Sequence, residues 1–223
     1  MKEENKNLIK FWDDVFKGMK VEKLEGRCIE DETFDRIVNK YIVDKGKLLD
    51  FGCGSGWASF EIYYRKEMQE IIGVDTSINA ITYLNDMVKS NDLKRITFLN
   101  GNEEVLYNYE DYFDVALSIN VIDVLSDDII VSILKNVKKS LKKGGLFLVG
   151  INPDFHIDML KKYGYIIENN RLYKDNILRG NLKDKSQWIE LFNKYFSFVE
   201  YEEFSLNERE KQYPRRMFVM KKM

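Results

Sequence analysis

Three glycines, Gly52, Gly54 and Gly56, alternate with Cys53 and Ser55 in the run LLDFGCGSGW, Leu48 to Trp57. An apolar stretch of strand character, Leu48–Phe51, leads into them. An amphipathic stretch from Trp57 to about Tyr64 follows. A sharp strand-to-helix turn needs backbone angles that a side chain disfavours, and glycine supplies them. Glycine also lets the backbone approach a ligand beside the free N–H groups at a helix start. The chemistry on offer is ligand recognition through the main chain.

A carboxylate stands at the matching point of the next apolar run. Asp75 ends EIIGVD, 19 positions after Gly56. In a doubly wound sheet this position borders the crevice outside the carboxyl ends of the strands. A carboxylate there can accept hydrogen bonds from both hydroxyls of a ribose; its other role would be to cap the helix that begins near Ser77. The turn lacks the Gly-x-Gly-x-x-Gly spacing of dinucleotide sites and the Gly-Lys-Ser/Thr ending of a phosphate loop. No lysine lies in it to neutralise phosphates. A nucleoside without a polyphosphate fits best.

Other reactive types are sparse. Cys28 and Cys53 form no Cys-x-x-Cys pair, and His156 is the single histidine, so no metal site is expected. Cys53 reads as a small filler of the turn. Two isolated cysteines suit a reducing compartment.

The elements that must position these residues follow from periodicity. Strands are expected at Lys47–Phe51, Ile71–Asp75, Ile96–Asn100, Phe113–Ser118 and Leu146–Ile151. Helices separate most of them; one starts at Ser77, and another, capped by Ser126 or Asp127, ends at Lys143-Gly144-Gly145. Short strands that are apolar on both faces and alternate with helices predict a parallel sheet covered on both sides. Residues 1–45 form a helical preface: Leu8, Ile9, Phe11, Trp12, Val15 and Phe16 recur at helical spacing, and a second helix runs from Asp31 to about Val43. Residues 152–184 read as irregular and polar, with Tyr163, Tyr165, Tyr173 and Arg179 among charges. A helix over Gln187–Tyr195 follows, then two alternating runs, Phe196–Phe204 and Arg216–Lys221, expected as an antiparallel pair at a sheet edge.

Length and composition set the class. The chain has 223 residues, 44% hydrophobic and 32% charged, with a net charge of −2 and a pI near 5.7. That fits one globular domain and gives no basic signature for nucleic acid. The lysines at 138, 139, 142 and 143 read as a solvated helix end. No apolar core of signal-peptide length precedes Asp13 and Asp14, and no run approaches a membrane span. A cytoplasmic location, no membrane partner and a monomer or homodimer are expected.

Taken in order, the motifs resemble the class I S-adenosylmethionine-dependent methyltransferases. LLDFGCGSG (48–56) is similar to the first motif of that family and IIGVDTS (71–77) to the second. ITFLNGNEE (96–104) resembles the adenine-side segment, FDVALSINVIDVL (113–125) the fourth motif, and LKKGGLFLVGINP (141–153) the turn and strand that follow. The resemblance implies a Rossmann-like, mostly parallel seven-stranded sheet with an antiparallel C-terminal hairpin. It implies a helical cap over 1–45, a cofactor-binding domain over 46–223, and a substrate-lid insertion within it at 152–184. S-adenosylmethionine is the cofactor so implied. Asp50 and the backbone of Gly52, Cys53 and Gly54 would hold its methionine part. Asp75 would hold the ribose, with Thr76 and Ser77 near the adenine. Asn102 stands where relatives often carry an aspartate toward the adenine amine, and backbone groups of Gly101 or Glu103 would contribute there. Ser118 and Ile119 would line the floor near the sulfonium, with Asn120 beside them.

No catalytic base is assigned. Val124 occupies the place where relatives often have a histidine, and no Asn-Pro-Pro-Tyr or Asp-Pro-Pro-Tyr sequence is present. Trp12, Asn120 and His156 are the candidate substrate residues. The expected reaction is methylation of a small molecule. The alternatives are a protein or RNA acceptor, or a non-catalytic module that binds the same nucleoside; an aminopropyl transferase is disfavoured because no acidic set suits a polyamine.

Overall fold

The computed structural model describes residues 3–26, 28–154 and 157–223. Two helices come first, α1 (Glu3–Phe16) and α2 (Thr33–Tyr41). An alternating series follows: β1 (Lys47–Phe51), α3 (Trp57–Arg65), β2 (Glu70–Asp75), α4 (Ile78–Ser90), β3 (Ile96–Asn100), β4 (Phe113–Ile119), α5 (Asp127–Ser140) and β5 (Leu141–Ile151). A short helix α6 (Ile157–Lys162) leads to β6 (Ile166–Glu168), β7 (Arg171–Lys174) and β8 (Ile177–Asn181). The chain closes with α7 (Lys185–Asn193), β9 (Ser197–Phe204) and β10 (Arg215–Lys221).

Seven strands form one sheet in the order β3-β2-β1-β4-β5-β10-β9. β1 to β5 are parallel, and β10 runs antiparallel to both β5 and β9. The doubly wound fold is therefore the one expected. Adjacent residues of β1 point into different cores, which is why its alternation is invisible in the sequence. Leu48 packs with Phe34, Ile37, Phe60 and Leu84 on one face. Leu49 packs with Phe113, Ile130, Leu134 and Trp188 on the other. The strand order reverses between β1 and β4, so the crevice of an open α/β sheet opens at their carboxyl ends.

Two expectations need correction. α5 stops at Ser140, before Lys143-Gly144-Gly145, and β5 starts at once. The glycines lie inside β5, where its register against β4 jumps: Leu141 faces Phe113, but Leu146 faces Val115. A side chain at Gly145 would stand 2.9 Å from the Lys142 carbonyl and 3.0 Å from that of Asp114.

Residues 152–184 are not irregular. They carry α6 and a separate three-stranded antiparallel sheet, β6-β7-β8. Its two turns are Asn169-Asn170 (φ 50° and 59°) and Asp175-Asn176 (φ 52° and 60°). Asparagine and aspartate tolerate this left-handed region, and two such residues in succession make a tight hairpin. Among the described residues no helix is long and apolar enough to cross a membrane.

Candidate active site

The glycine turn is tied to the end of β2. The amides of Gly52 and Cys53 donate to the Val74 carbonyl at 2.7 and 3.2 Å, and the Gly54 amide donates to Asp75 Oδ2 at 2.9 Å. Gly52 and Gly54 have φ of +75° and +51°. A Cβ at Gly52 would lie 2.2 Å from Val121 Cγ2, so space and conformation both demand glycine there. The sequence-predicted pair of turn and acid thus forms one structural unit.

Asp75 accepts a second bond on its other oxygen, from the Ser77 amide at 2.9 Å. Burial raises its carboxyl above the usual range, against the pull of these amides. Each carboxylate oxygen has two lone pairs, so the pair of N–H donors leaves acceptor capacity for hydroxyls. Asp50 is buried at the end of β1 and accepts from the Ser59 hydroxyl at 2.6 Å. Burial, with the charge of Asp75 nearby, pushes its carboxyl up to about 6. Cys53 is also buried, and burial pushes its thiol well above the ordinary value, which suits a filler rather than a nucleophile.

The adenine-side candidates surround the β2–β3 edge. The Gly101 amide donates to the Asp75 carbonyl at 2.9 Å. Asn102 accepts from the Glu104 amide at 3.1 Å and so caps the 3₁₀ turn Glu103–Asn108, with Glu103 first in that turn. Asn100, which the sequence did not mark, donates to the carbonyls of Asp75 and Thr76, both at 3.1 Å.

At the end of β4 the side chains are short of partners. Ser118 is fully buried, and its hydroxyl has no hydrogen-bond partner among the described residues; the same is true of Asn120 Oδ1. Ile119 packs against Gly150 on β5. Asn120 is left-handed (φ 58°), and its amide donates to the Gly150 carbonyl at 2.7 Å, so the chain turns sharply here. Beyond it, Asp123 Oδ2 accepts from the amide and the side chain of Asn152 at 3.0 and 2.8 Å.

Two segments far away in sequence close over this end. Asp13 on α1 accepts from the Ser77 hydroxyl at 2.7 Å and from the Asn79 amide and side chain at 3.0 and 2.9 Å. These bonds hold its carboxyl below the usual range, the Asn79 amide contributing most. One turn on, Phe16 lies across Gly54, 3.1 Å from where a Cβ would stand. Trp12 stacks on Phe16 with ring centroids 6.2 Å apart. From β8, Asn181 donates to the carbonyls of Asp123 and Leu125 at 3.0 and 2.8 Å, fastening that strand beside the turn after β4. The Arg179 guanidinium lies 3.6 Å from the centre of the Phe11 ring and joins β8 to α1. His156 lies outside the described residues. The docking role of Asp13 and the bracing role of Asn181 had no local signal in the sequence, because both depend on partners more than 50 positions away.

The residues fit S-adenosylmethionine. Asp75 keeps acceptor capacity beside a turn that carries no cation, which suits a nucleoside without a polyphosphate, and the buried Ser118 hydroxyl has no hydrogen-bond partner among the described residues. The profile of a family described as a methyltransferase domain matches residues 42–195, more than half of the chain. The chain belongs to the methyltransferase-domain family. Its fold and motif set are those of the class I S-adenosylmethionine-dependent enzymes, and S-adenosylmethionine is the cofactor of this domain.

Relatives place the methyltransferase domain further. It is 29% identical over 154 residues to a ribosomal protein L11 methyltransferase of Clostridium botulinum (strain Eklund 17B / Type B), covering 66% of this chain and 46% of that protein. The chain thus spans about half the length of that curated relative. In fold it is similar to the PH0226 protein of Pyrococcus horikoshii OT3, with a TM-score of 0.69 at 23% identity over 86% of this chain and 89% of the other. It is also similar to an S-adenosylmethionine-dependent methyltransferase of Methanosarcina mazei, with a TM-score of 0.68 at 18% identity over 84% and 97%.

Proposed function

We propose that this methyltransferase acts on a small-molecule acceptor by direct in-line displacement. The observation that carries the reading is the closure of the acceptor side. α1 and β8, from opposite parts of the chain, meet over the carboxyl end of the sheet through Arg179 and Phe11. A roof of this kind suits an acceptor that can be enclosed. It also excludes water, which this chemistry requires.

S-adenosylmethionine supplies a methyl group already activated by its positively charged sulfur. In our reading Asp75 takes the ribose hydroxyls, Asp50 and the glycine turn face the methionine end, and Asn102 and the Gly101 backbone border the adenine. Ser118, Ile119 and Asn120 form the floor below the reacting carbon. Bound there, the cofactor would supply a methyl carbon whose bond to sulfur breaks as the acceptor atom bonds to it, with S-adenosylhomocysteine as the leaving product. Alignment of the two supplies much of the rate, and a base is needed only if the acceptor arrives protonated.

A protein side chain is the second reading, supported by the similarity to a ribosomal protein methyltransferase. Incubation with methyl-labelled cofactor separates the two. Label should enter small metabolites when the enzyme is given a filtered extract. Label entering only ribosomal protein or RNA fractions would refute the small-molecule assignment.

A further inference from the structure

Among the described residues, several buried polar atoms without a hydrogen-bond partner fall on two neighbouring elements. Ser118 Oγ, Asn120 Oδ1 and Asp123 Oδ1 belong to the end of β4 and the turn after it. Arg179 Nε and Asn181 Oδ1 belong to β8, which Asn181 fastens to that same turn. Buried polar groups are ordinarily satisfied, so such a concentration marks a surface made to meet something polar.

Arg179 is the cationic member of the group, and its placement is unusual. Against β7, Leu172 pairs with Gly180 and Tyr173 with Leu178. Arg179 is therefore the extra residue of a β-bulge, a device that re-aims a side chain out of the regular alternation. Its guanidinium carbon lies 3.6 Å from the centre of the Phe11 ring, which holds the group over that face. Nearby, Arg171 and Lys183 share Asp127, and Arg216 pairs with Asp154. Among the described residues Arg179 has no such carboxylate. A planar fork held on an aromatic face is suited to a carboxylate or phosphate approaching edge-on.

We propose that Arg179 is the specificity-determining residue of the acceptor site, pairing with an anionic group, carboxylate or phosphate, on the small-molecule acceptor. The oxygens of Asn120 and Asn181 then face hydrogen-bond donors of the same molecule. This rests on the small-molecule reading above and narrows it to acidic acceptors.

The test uses the full chain saturated with S-adenosylhomocysteine. Sodium acetate and inorganic phosphate are titrated at constant ionic strength, and the arginine Nε–H signals are followed by NMR. One signal should shift saturably with at least one anion, and the anion that saturates first names the group. Arg179→Met should weaken that binding at least tenfold, with Arg179→Lys intermediate, while affinity for S-adenosylhomocysteine changes less than twofold in both. Unchanged S-adenosylhomocysteine binding certifies that the variants fold. Saturation by neither anion, or equal anion binding by wild type and Arg179→Met, overturns the proposal. Failure of the wild type to bind S-adenosylhomocysteine would instead remove the methyltransferase reading beneath it.

Discussion

The amide of Gly54 donates to Asp75 Oδ2 over 2.9 Å, so the glycine turn after β1 and the acidic end of β2 are held as one piece. Ligand groups that meet the turn and ligand groups that meet the acid are thereby set at a fixed separation. Asp75→Ala should lower affinity for S-adenosylhomocysteine by about 1–3 kcal/mol, the scale of a lost charged hydrogen bond. Asp75→Asn should lose less, because an amide oxygen can still accept. Calorimetry reads both.

Gly52 is the position where the turn tolerates least. Its φ is +75°, and an added Cβ would stand 2.2 Å from Val121 Cγ2. Gly52→Ala is expected to destabilise the fold by roughly 1–3 kcal/mol, the range for forced backbone strain, and to abolish cofactor binding. Urea unfolding and calorimetry measure the two effects separately.

Asp50 and Asp13 give opposite pH signatures. Asp50 is raised to about 6 in the fold. A raised carboxyl holds its proton more tightly folded than unfolded, so stability falls as pH climbs from about 4 to about 6. The full effect is roughly 3 kcal/mol at about 1.4 kcal/mol per tenfold. Asp50→Asn should flatten that slope in urea midpoints while keeping an acceptor for Ser59.

Asp13 is lowered in the fold, chiefly by the Asn79 amide. Its clasp therefore contributes fully above the ordinary aspartate value of about 3.9 and is lost as pH falls through the lowered one. Asp13→Ala should release α1 at neutral pH. Limited proteolysis should then cut within residues 1–20 faster than in wild type, with the sheet still protected.

Much of this architecture was legible in the sequence, and the reason is local. β1 and β3 have the bounds expected from their apolar runs. Ser77 caps α4 as its type suggested, accepting from the Ala80 amide at 3.0 Å. Residues 152–184 differ from the irregular segment expected because their strands are short and polar, and β6 is only three residues long. The paired residues Asn169-Asn170 and Asp175-Asn176 were the missed signal for the two hairpins. Asp13, Asn181 and Arg179 act across long sequence separations, and nothing adjacent to them announces a partner.

Asn120 separates a backbone role from a side-chain role. Its φ of 58° is one that glycine accepts and alanine does not. Asn120→Gly should keep wild-type stability, whereas Asn120→Ala should lose about 1 kcal/mol. Equal losses of methyl-transfer rate in both variants would assign the amide to the acceptor. A loss confined to Asn120→Ala would assign only the turn.

In the proposed site the glycine turn and Asp75 together bind the nucleoside of S-adenosylmethionine. Calorimetry of the full chain with S-adenosylhomocysteine, wild type against Asp75→Ala, tests it most directly. One saturable site is expected, weakened about 5- to 150-fold in the variant, the equivalent of a 1–3 kcal/mol loss. No saturable binding by the wild type, or the same affinity in both, would contradict it.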